Sequence, residues 1–283
     1  MMHTPPVLPE MQWREVEVDG RPARYLVGGA GETVIFLHGW GLAGGIFYTP
    51  ALELLAASGF RVYAPSMPGF GSAELPTSDF SLSGYADWVA AFATSVGITG
   101  KVSVIGYSMG GGVAIRLAYE FADLVSRVVL VNSIGGSTWY DRRGAECRIG
   151  QRPLWDWGLH LRSNVMPMRT VRTALPMILR EGIPNFARNP RAVWRAGWLA
   201  RNADLTAEVR ALRRRGLPIA LVWSRHDSVI PTVTMQTLRD AAEDSPFVLV
   251  DGNHSWLTTN PDRFRDVIAA LFRRTSSQVP TAA

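Results

Sequence analysis

The chain has 283 residues, 47% of them apolar and 19% charged, enough to bury a sizeable core. Its single cysteine, Cys147, excludes an internal disulfide, and no apolar run reaches the roughly 20 residues that span a bilayer. The net charge of +5 comes from arginine apart from Lys101, without the basic stripe and stacking aromatics of a nucleic-acid module, which excludes nucleic acid as a partner.

From the amino end, Met1 to Glu10 carries prolines and lacks the apolar centre of a secretory signal, so residues 1–10 are expected to be flexible. With the lone cysteine, this predicts a cytoplasmic protein. Trp13 to Val18 and Arg21 to Val27 read as strands joined by the hairpin dipeptide Asp19-Gly20. Val34 to Leu37 is a short apolar strand, as expected at the centre of a parallel sheet covered on both faces. It runs into His38-Gly39-Trp40-Gly41, where glycines let a backbone amide approach a ligand closely. Thr49 to Ser58 reads as a helix and Arg61 to Ala64 as a strand, followed by the loop Pro65 to Gly71. Ser81 then caps a helix whose apolar face is Leu82, Tyr85, Trp88, Val89 and Phe92.

The apolar run Val102 to Ile105 predicts a buried strand, and Val113, Ala114, Leu117, Ala118 and Phe121 predict one face of a helix. Between them lies Gly106-Tyr107-Ser108-Met109-Gly110. A turn this sharp strains the serine backbone and crowds the positions two before and two after it, where glycine removes the collision. The Ser108 hydroxyl is thereby lifted above the carboxyl edge of the sheet, with the Met109 amide facing whatever it attacks.

Val128 to Val131 is the next strand, and the alternation stops at Gly135-Gly136. Residues 136–216 contain helical fragments broken by Pro153, Pro167, Pro176, Pro184 and Pro190, and no convincing strand, which predicts a helical lid over the carboxyl edge. This segment carries sixteen arginines against six acids, a net of +10 that leaves the remainder at −5. It also holds Trp139, Trp155, Trp157, Trp194, Trp198, Met166, Met168, Met177 and Leu199. Two readings stand for these apolar residues: packing of lid on core, or an apolar substrate pocket. The arginines read either as a solvated face or as an attractor for an anionic substrate or membrane surface. Alternation resumes with Pro218 to Trp223, Thr232 to Ala242, Phe247 to Val250 and Pro261 to Phe272, before a polar tail from Thr275 that is expected to fray. The domain reading is therefore a doubly wound α/β core over 11–135 and 217–274, a lid over 136–216, and flexible termini at 1–10 and 275–283.

A serine needs a base, and the base needs a group that fixes its tautomer. Of five histidines, His3 lies in the amino terminus, His160 in the lid, His38 in the glycine loop and His226 beside Asp227. His254 follows the last apolar strand directly, on the same edge as Ser108. Asp227 follows the strand ending at Trp223, again at that edge, whereas Asp251 would have to double back and Asn132 carries no charge. The amides of Trp40 and Met109 are placed to converge beside Ser108 as an oxyanion hole. Tyr107 and the Trp40 side chain are expected to contact substrate, and His38 to orient its loop.

These motifs, in this order, resemble the α/β-hydrolase superfamily over nearly the whole core: His38-Gly39-Trp40-Gly41, Pro68-Gly69-Phe70-Gly71, Gly106 to Gly110, Asp227 with Pro231, and His254. The resemblance implies Ser108 as nucleophile, His254 as base, Asp227 as acid, and Trp40 and Met109 as oxyanion amides. It implies a cofactor-free hydrolase acting on a small-molecule ester; the oligomeric state stays open. Departures are Ser66 where the family usually has aspartate, Ser224 and Asn253 where glycine is common, and Tyr107 and Ser255 where ring-degrading carbon–carbon hydrolases have asparagine and tryptophan. Ser66, Ser224 and Asn253 are not expected to touch the triad, although Asn253 stands beside the base and bears on its loop. Other bonds, or a weakly catalytic receptor on the same scaffold, are the alternatives.

Overall fold

The computed structural model describes residues 10–41, 48–70, 80–153, 155, 156, 160, 179, 183–188 and 190–276. The expected flexible ends at 1–9 and 277–283, Gly71, Trp157, Met166, Met168 and Met177 lie outside the described residues.

Strands β1 (Gln12–Val18) and β2 (Arg21–Gly28) form the antiparallel hairpin that Asp19-Gly20 predicts. Both turn residues have positive φ, 51° and 74°, which matches the turn to the twist of its strands. The chain then alternates through β3 (Glu32–Leu37), α1 (Thr49–Ala57), β4 (Phe60–Pro65), α2 (Leu82–Ser95), β5 (Val102–Tyr107), α3 (Met109–Glu120) and β6 (Val125–Val131). Helix α2 begins where expected, with the Ser81 hydroxyl accepting from the Gly84 amide at 3.0 Å. A hairpin of β7 (Thr138–Tyr140) and β8 (Glu146–Arg148) follows, then the 3₁₀ turn Ile149–Gln151 and helices α4 (Ile183–Arg188), α5 (Pro190–Asn202) and α6 (Thr206–Arg214). The chain closes with β9 (Ile219–Ser224), α7 (Thr232–Ala242), β10 (Phe247–Val250), α8 (Trp256–Thr259) and α9 (Pro261–Ser276).

Eight strands form one sheet in the order β1-β2-β4-β3-β5-β6-β9-β10, parallel from β4 to β10. The chain steps outward from β3 to β4 and then returns to the other side of β3 as β5. That reversal opens a crevice at the carboxyl ends of β3 and β5, the place where open α/β sheets bind ligands. Strand β5 is buried on both faces because alternate residues enter different cores. Val104 joins the layer of α2, α3, α6 and α7, and Ile105 joins the layer of α1, α8 and α9. Each such side chain contributes about 1.5–3 kcal/mol by leaving water.

Three boundaries differ from the sequence reading. The segment after Gly136 does contain strands, β7 and β8, too short for an apolar period to register. The excursion also ends earlier than residue 216. The Leu205 amide donates to the Gly135 carbonyl at 2.9 Å, and Gly135 bridges Asp204, so the chain leaves and re-enters the core at one point. Helix α6 then packs Val209 and Leu212 into the core layer against α3 and α7. At the carboxyl end α9 continues through Thr275 to Ser276. No helix among the described residues is long and apolar enough to cross a membrane.

Candidate active site

The turn between β5 and α3 holds Ser108 at φ 53° and ψ −117°, a left-handed conformation that costs a non-glycine residue about 1–3 kcal/mol. The glycines around it have contact reasons. A Cβ on Gly110 would stand 2.1 Å from the Leu37 carbonyl oxygen, and one on Gly106 would stand 2.5 Å from the Gly110 oxygen. With both absent, α3 starts directly over the end of β3, and the serine is presented in the crevice.

The structure brings together the three side chains expected to form the site. Ser108 Oγ lies 3.0 Å from His254 Nε2, and His254 Nδ1 lies 2.8 Å from Asp227 Oδ2. All three are buried. An ionised carboxylate only accepts, so Nδ1 carries the proton toward Asp227 and Nε2 is left to accept from the serine hydroxyl. The competing Asp251 is exposed and pairs with Arg225 at 3.1 Å. His226 is exposed beside Asp227.

Asp227 receives four donors. Its Oδ1 accepts from the amides of Val229 and Ile230, both at 2.9 Å, and its Oδ2 accepts from His254 and from Asn132 Nδ2 at 2.6 Å. Asn132 directly follows β6 at φ 44°, fully buried. Its Nδ2 also donates to Ser224 Oγ at 2.7 Å, and its Oδ1 accepts from Trp256 Nε1 at 2.7 Å. An indole N–H only donates and a carboxylate only accepts, so these two neighbours fix the orientation of the amide. The sequence reading sets Asn132 aside because it is neutral; its part is to donate. Ser224, a departure from the family pattern, and Trp256 reach Asp227 through it. The available signal is the polar pair Asn132-Ser133 closing an apolar strand at the carboxyl edge.

Tyr107 is the residue expected, with Trp40, to contact substrate. It is buried, its hydroxyl donates to the His254 carbonyl at 2.9 Å, and its ring packs against Tyr48. The strand period places Tyr107 on the face of Ile105, beneath the α1 and α8 layer, where it supports the histidine loop. Burial raises its hydroxyl pKa well above the usual tyrosine range, with Tyr48 and Asp227 adding to the rise.

His38 pins the loop after β3, as expected. The Met67 amide donates to its Nε2 at 3.0 Å, which leaves Nδ1–H to donate to the Gly39 carbonyl at 2.8 Å. Burial pushes its pKa down to about 4, against a smaller opposing effect of the Gly39 bond. The Gly39 backbone is pressed against the serine: a Cβ there would stand 3.0 Å from Ser108 Cβ. Trp40 follows, half-buried, and a Cβ on Gly197 of α5 would lie 3.3 Å from its indole nitrogen. Met109 is the first residue of α3, so its amide has no carbonyl within the helix to bond. Helix α5 buries Ala192, Ala196 and Ala200 and turns Trp194 and Trp198 outward, 64% and 48% exposed.

Comparison with known proteins agrees with this architecture. The chain is 27% identical to an uncharacterized protein of Mycobacterium tuberculosis (strain H37Rv) over 92% of its own length and 80% of that protein's. It is 26% identical to a pimeloyl-acyl-carrier-protein methyl ester esterase of Aeromonas salmonicida, covering 85% of this chain and 95% of the relative. A solved serine hydrolase involved in carbazole degradation superposes with a TM-score of 0.74 at 22% identity, covering 93% of this chain and 99% of that one. The sequence pattern of the Alpha/beta hydrolase family matches residues 34–267, which runs from within β3 through β10 and includes all three residues of the Ser108–His254–Asp227 line. On fold, site and family match together, this chain belongs to the alpha/beta hydrolase family.

Proposed function

We propose that the chain is a serine hydrolase that cleaves carboxylic esters of small or medium, largely apolar substrates. The observation that carries this reading is the hydrogen-bonded line from Asp227 through His254 to Ser108, with steps of 2.8 and 3.0 Å, ending on a hydroxyl held on a strained turn. His254 takes the Ser108 proton as Oγ attacks the acyl carbon, and Asp227 stabilises the imidazolium that forms. The amides of Trp40 and Met109 hold the oxyanion; losing one such donor typically costs ~10²–10³ in turnover. His254 then protonates the leaving alcohol. Water, activated by the same nitrogen, releases the acid from the acyl-enzyme and returns the proton to Ser108.

The same machinery serves other acyl bonds, so carbon–carbon cleavage is the second reading. The segment that leaves the core at Gly135 acts in this reading as the lid that selects substrate. Its outward Trp194 and Trp198, with Arg201 stacked 4.5 Å over the Trp198 ring, suit attraction to an anionic surface. The lone cysteine suits a cytoplasmic setting. Incubation with a serine-directed fluorophosphonate, followed by peptide mapping, tests the nucleophile. Label on Ser108 is expected, and equal labelling of Ser108→Ala would sink the assignment.

A further inference from the structure

Arg152 follows the 3₁₀ turn Ile149–Gln151 and is almost completely buried. Its Nε donates to Asp156 Oδ2 at 2.8 Å. Its other two nitrogens face the loop that carries Asp227: Nη1 donates to the Val229 carbonyl at 2.5 Å, and Nη2 reaches the Ser228 carbonyl at 3.4 Å. Those carbonyls belong to the two peptide groups whose N–H ends, on Val229 and Ile230, donate to Asp227 Oδ1 at 2.9 Å. Each peptide therefore accepts from the guanidinium at one end and donates to the carboxylate at the other. A peptide polarised in this way is a stronger donor, and two in parallel fix the carboxylate plane.

The arginine is itself held by the excursion that its side chain leaves. Arg201 in the last turn of α5 donates through Nε to the Arg152 carbonyl at 2.5 Å and through Nη2 to the Gly150 carbonyl. Helix α5 also lies on Trp40 through Gly197. A cation serving only as a buried partner for Asp156 would need one of these contacts; the other two go to the acid loop. Burial pulls the Arg152 pKa down, and Asp156 and then Asp227 oppose it.

We propose that Arg152 is a positioning residue for the catalytic acid, holding the Asp227 carboxylate through the peptide groups 228–229 and 229–230 and tying it to the α5 segment. The proposal rests on the reading of Ser108, His254 and Asp227 as a triad. Because it acts on the acid and not on substrate, its loss lowers kcat and leaves KM in place.

The test uses Arg152→Ala in the full chain, with the best p-nitrophenyl ester of the parent as substrate. A 10- to 100-fold fall in kcat is expected, with KM within twofold. Guanidinium at tens of millimolar is expected to restore activity at least fivefold, and equal sodium chloride is not. Arg152→Lys keeps the charge without the fork and serves if Arg152→Ala does not fold; its kcat is expected to fall with KM unchanged. Asp156→Asn, which keeps an acceptor for Nε, is expected to keep kcat within threefold. A folded Arg152→Ala or Arg152→Lys with parental kcat overturns the proposal, as does a kcat loss in Arg152→Ala that guanidinium leaves untouched. A parent without serine-dependent turnover overturns the triad reading instead, so the two failures are distinguishable.

Discussion

Asn132 donates its side-chain amide to Asp227 Oδ2 at 2.6 Å, the same oxygen that faces His254 Nδ1 at 2.8 Å. A neutral residue thus completes the shell of the acid. Asn132→Asp sets a second carboxylate in this position, and two carboxylates at such a distance do not both ionise at neutral pH. The pair then holds a proton to higher pH. The acid limb of kcat/KM is expected to move upward, with at least a tenfold loss at pH 7, read from a pH–rate profile. Asn132→Leu removes the donor outright and strands the Trp256 indole N–H, at about 1–3 kcal/mol for the unsatisfied group. A lowered melting temperature is expected there; an unchanged one contradicts the network.

The elbow glycines separate contact from conformation. Gly110→Ala places a methyl 2.1 Å from the Leu37 oxygen, a collision with backbone that no side-chain shift relieves. Destabilisation above about 3 kcal/mol is expected from urea unfolding, together with loss of activity. Gly100→Ala meets nothing within 4 Å and is the matched control, expected within about 0.5 kcal/mol of the parent.

His38 gives a pH dependence with a definite sign. Its ring is fully buried with a pKa near 4, against 6.5 when unfolded. The unfolded chain therefore binds the extra proton between these values, so stability rises with pH across the window and is lost as pH falls from about 6.5 to about 4. The loss assigned to this group is ~3 kcal/mol. Denaturant unfolding at pH 7 and pH 4, compared between the parent and His38→Gln, isolates it. Equal losses of stability in the two proteins contradict the buried neutral ring.

The sixteen arginines of residues 136–216 predict a salt effect. Attraction of an anionic substrate or surface weakens as the Debye length shortens from about 30 Å at 0.01 M to about 8 Å at 0.15 M salt. For a carboxylate-bearing ester, kcat/KM is expected to fall several-fold over this range, and for a neutral ester to stay level. A Trp194→Ala, Trp198→Ala double variant is expected to keep turnover of a soluble ester within twofold while losing association with phosphatidylglycerol vesicles.

Much of this architecture is legible in the residues because it is local. Apolar runs mark β3, β5, β6 and β9, and the residues expected to act, Ser108, Asp227 and His254, each come within four residues of a strand end. What escapes is long-range and uncharged, or misleading in sign. Asn132 meets Asp227 across 95 positions and Trp256 across 124, and nothing in a neutral amide announces a partner. Arg152 reaches Val229 across 77 positions from within a segment where sixteen arginines make each one look like surface. The return of the chain to the core at Asp204 is hidden because α6 is rich in arginine while its buried apolar residues are Val209 and Leu212. Tyr107 and its neighbour part company: Ser108 turns into the crevice, and the period of β5 carries the tyrosine to the layer of α1 and α8.

The most direct measurement is turnover of p-nitrophenyl esters from acetate to laurate by the parent and by Ser108→Ala at pH 7.5. Turnover by the parent that drops at least 10³-fold in Ser108→Ala is expected, with the preferred chain length reporting the size of the pocket. Ester cleavage that survives in Ser108→Ala, or a parent that cleaves none of these esters while a carbon–carbon or thioester substrate is consumed, contradicts the serine esterase reading.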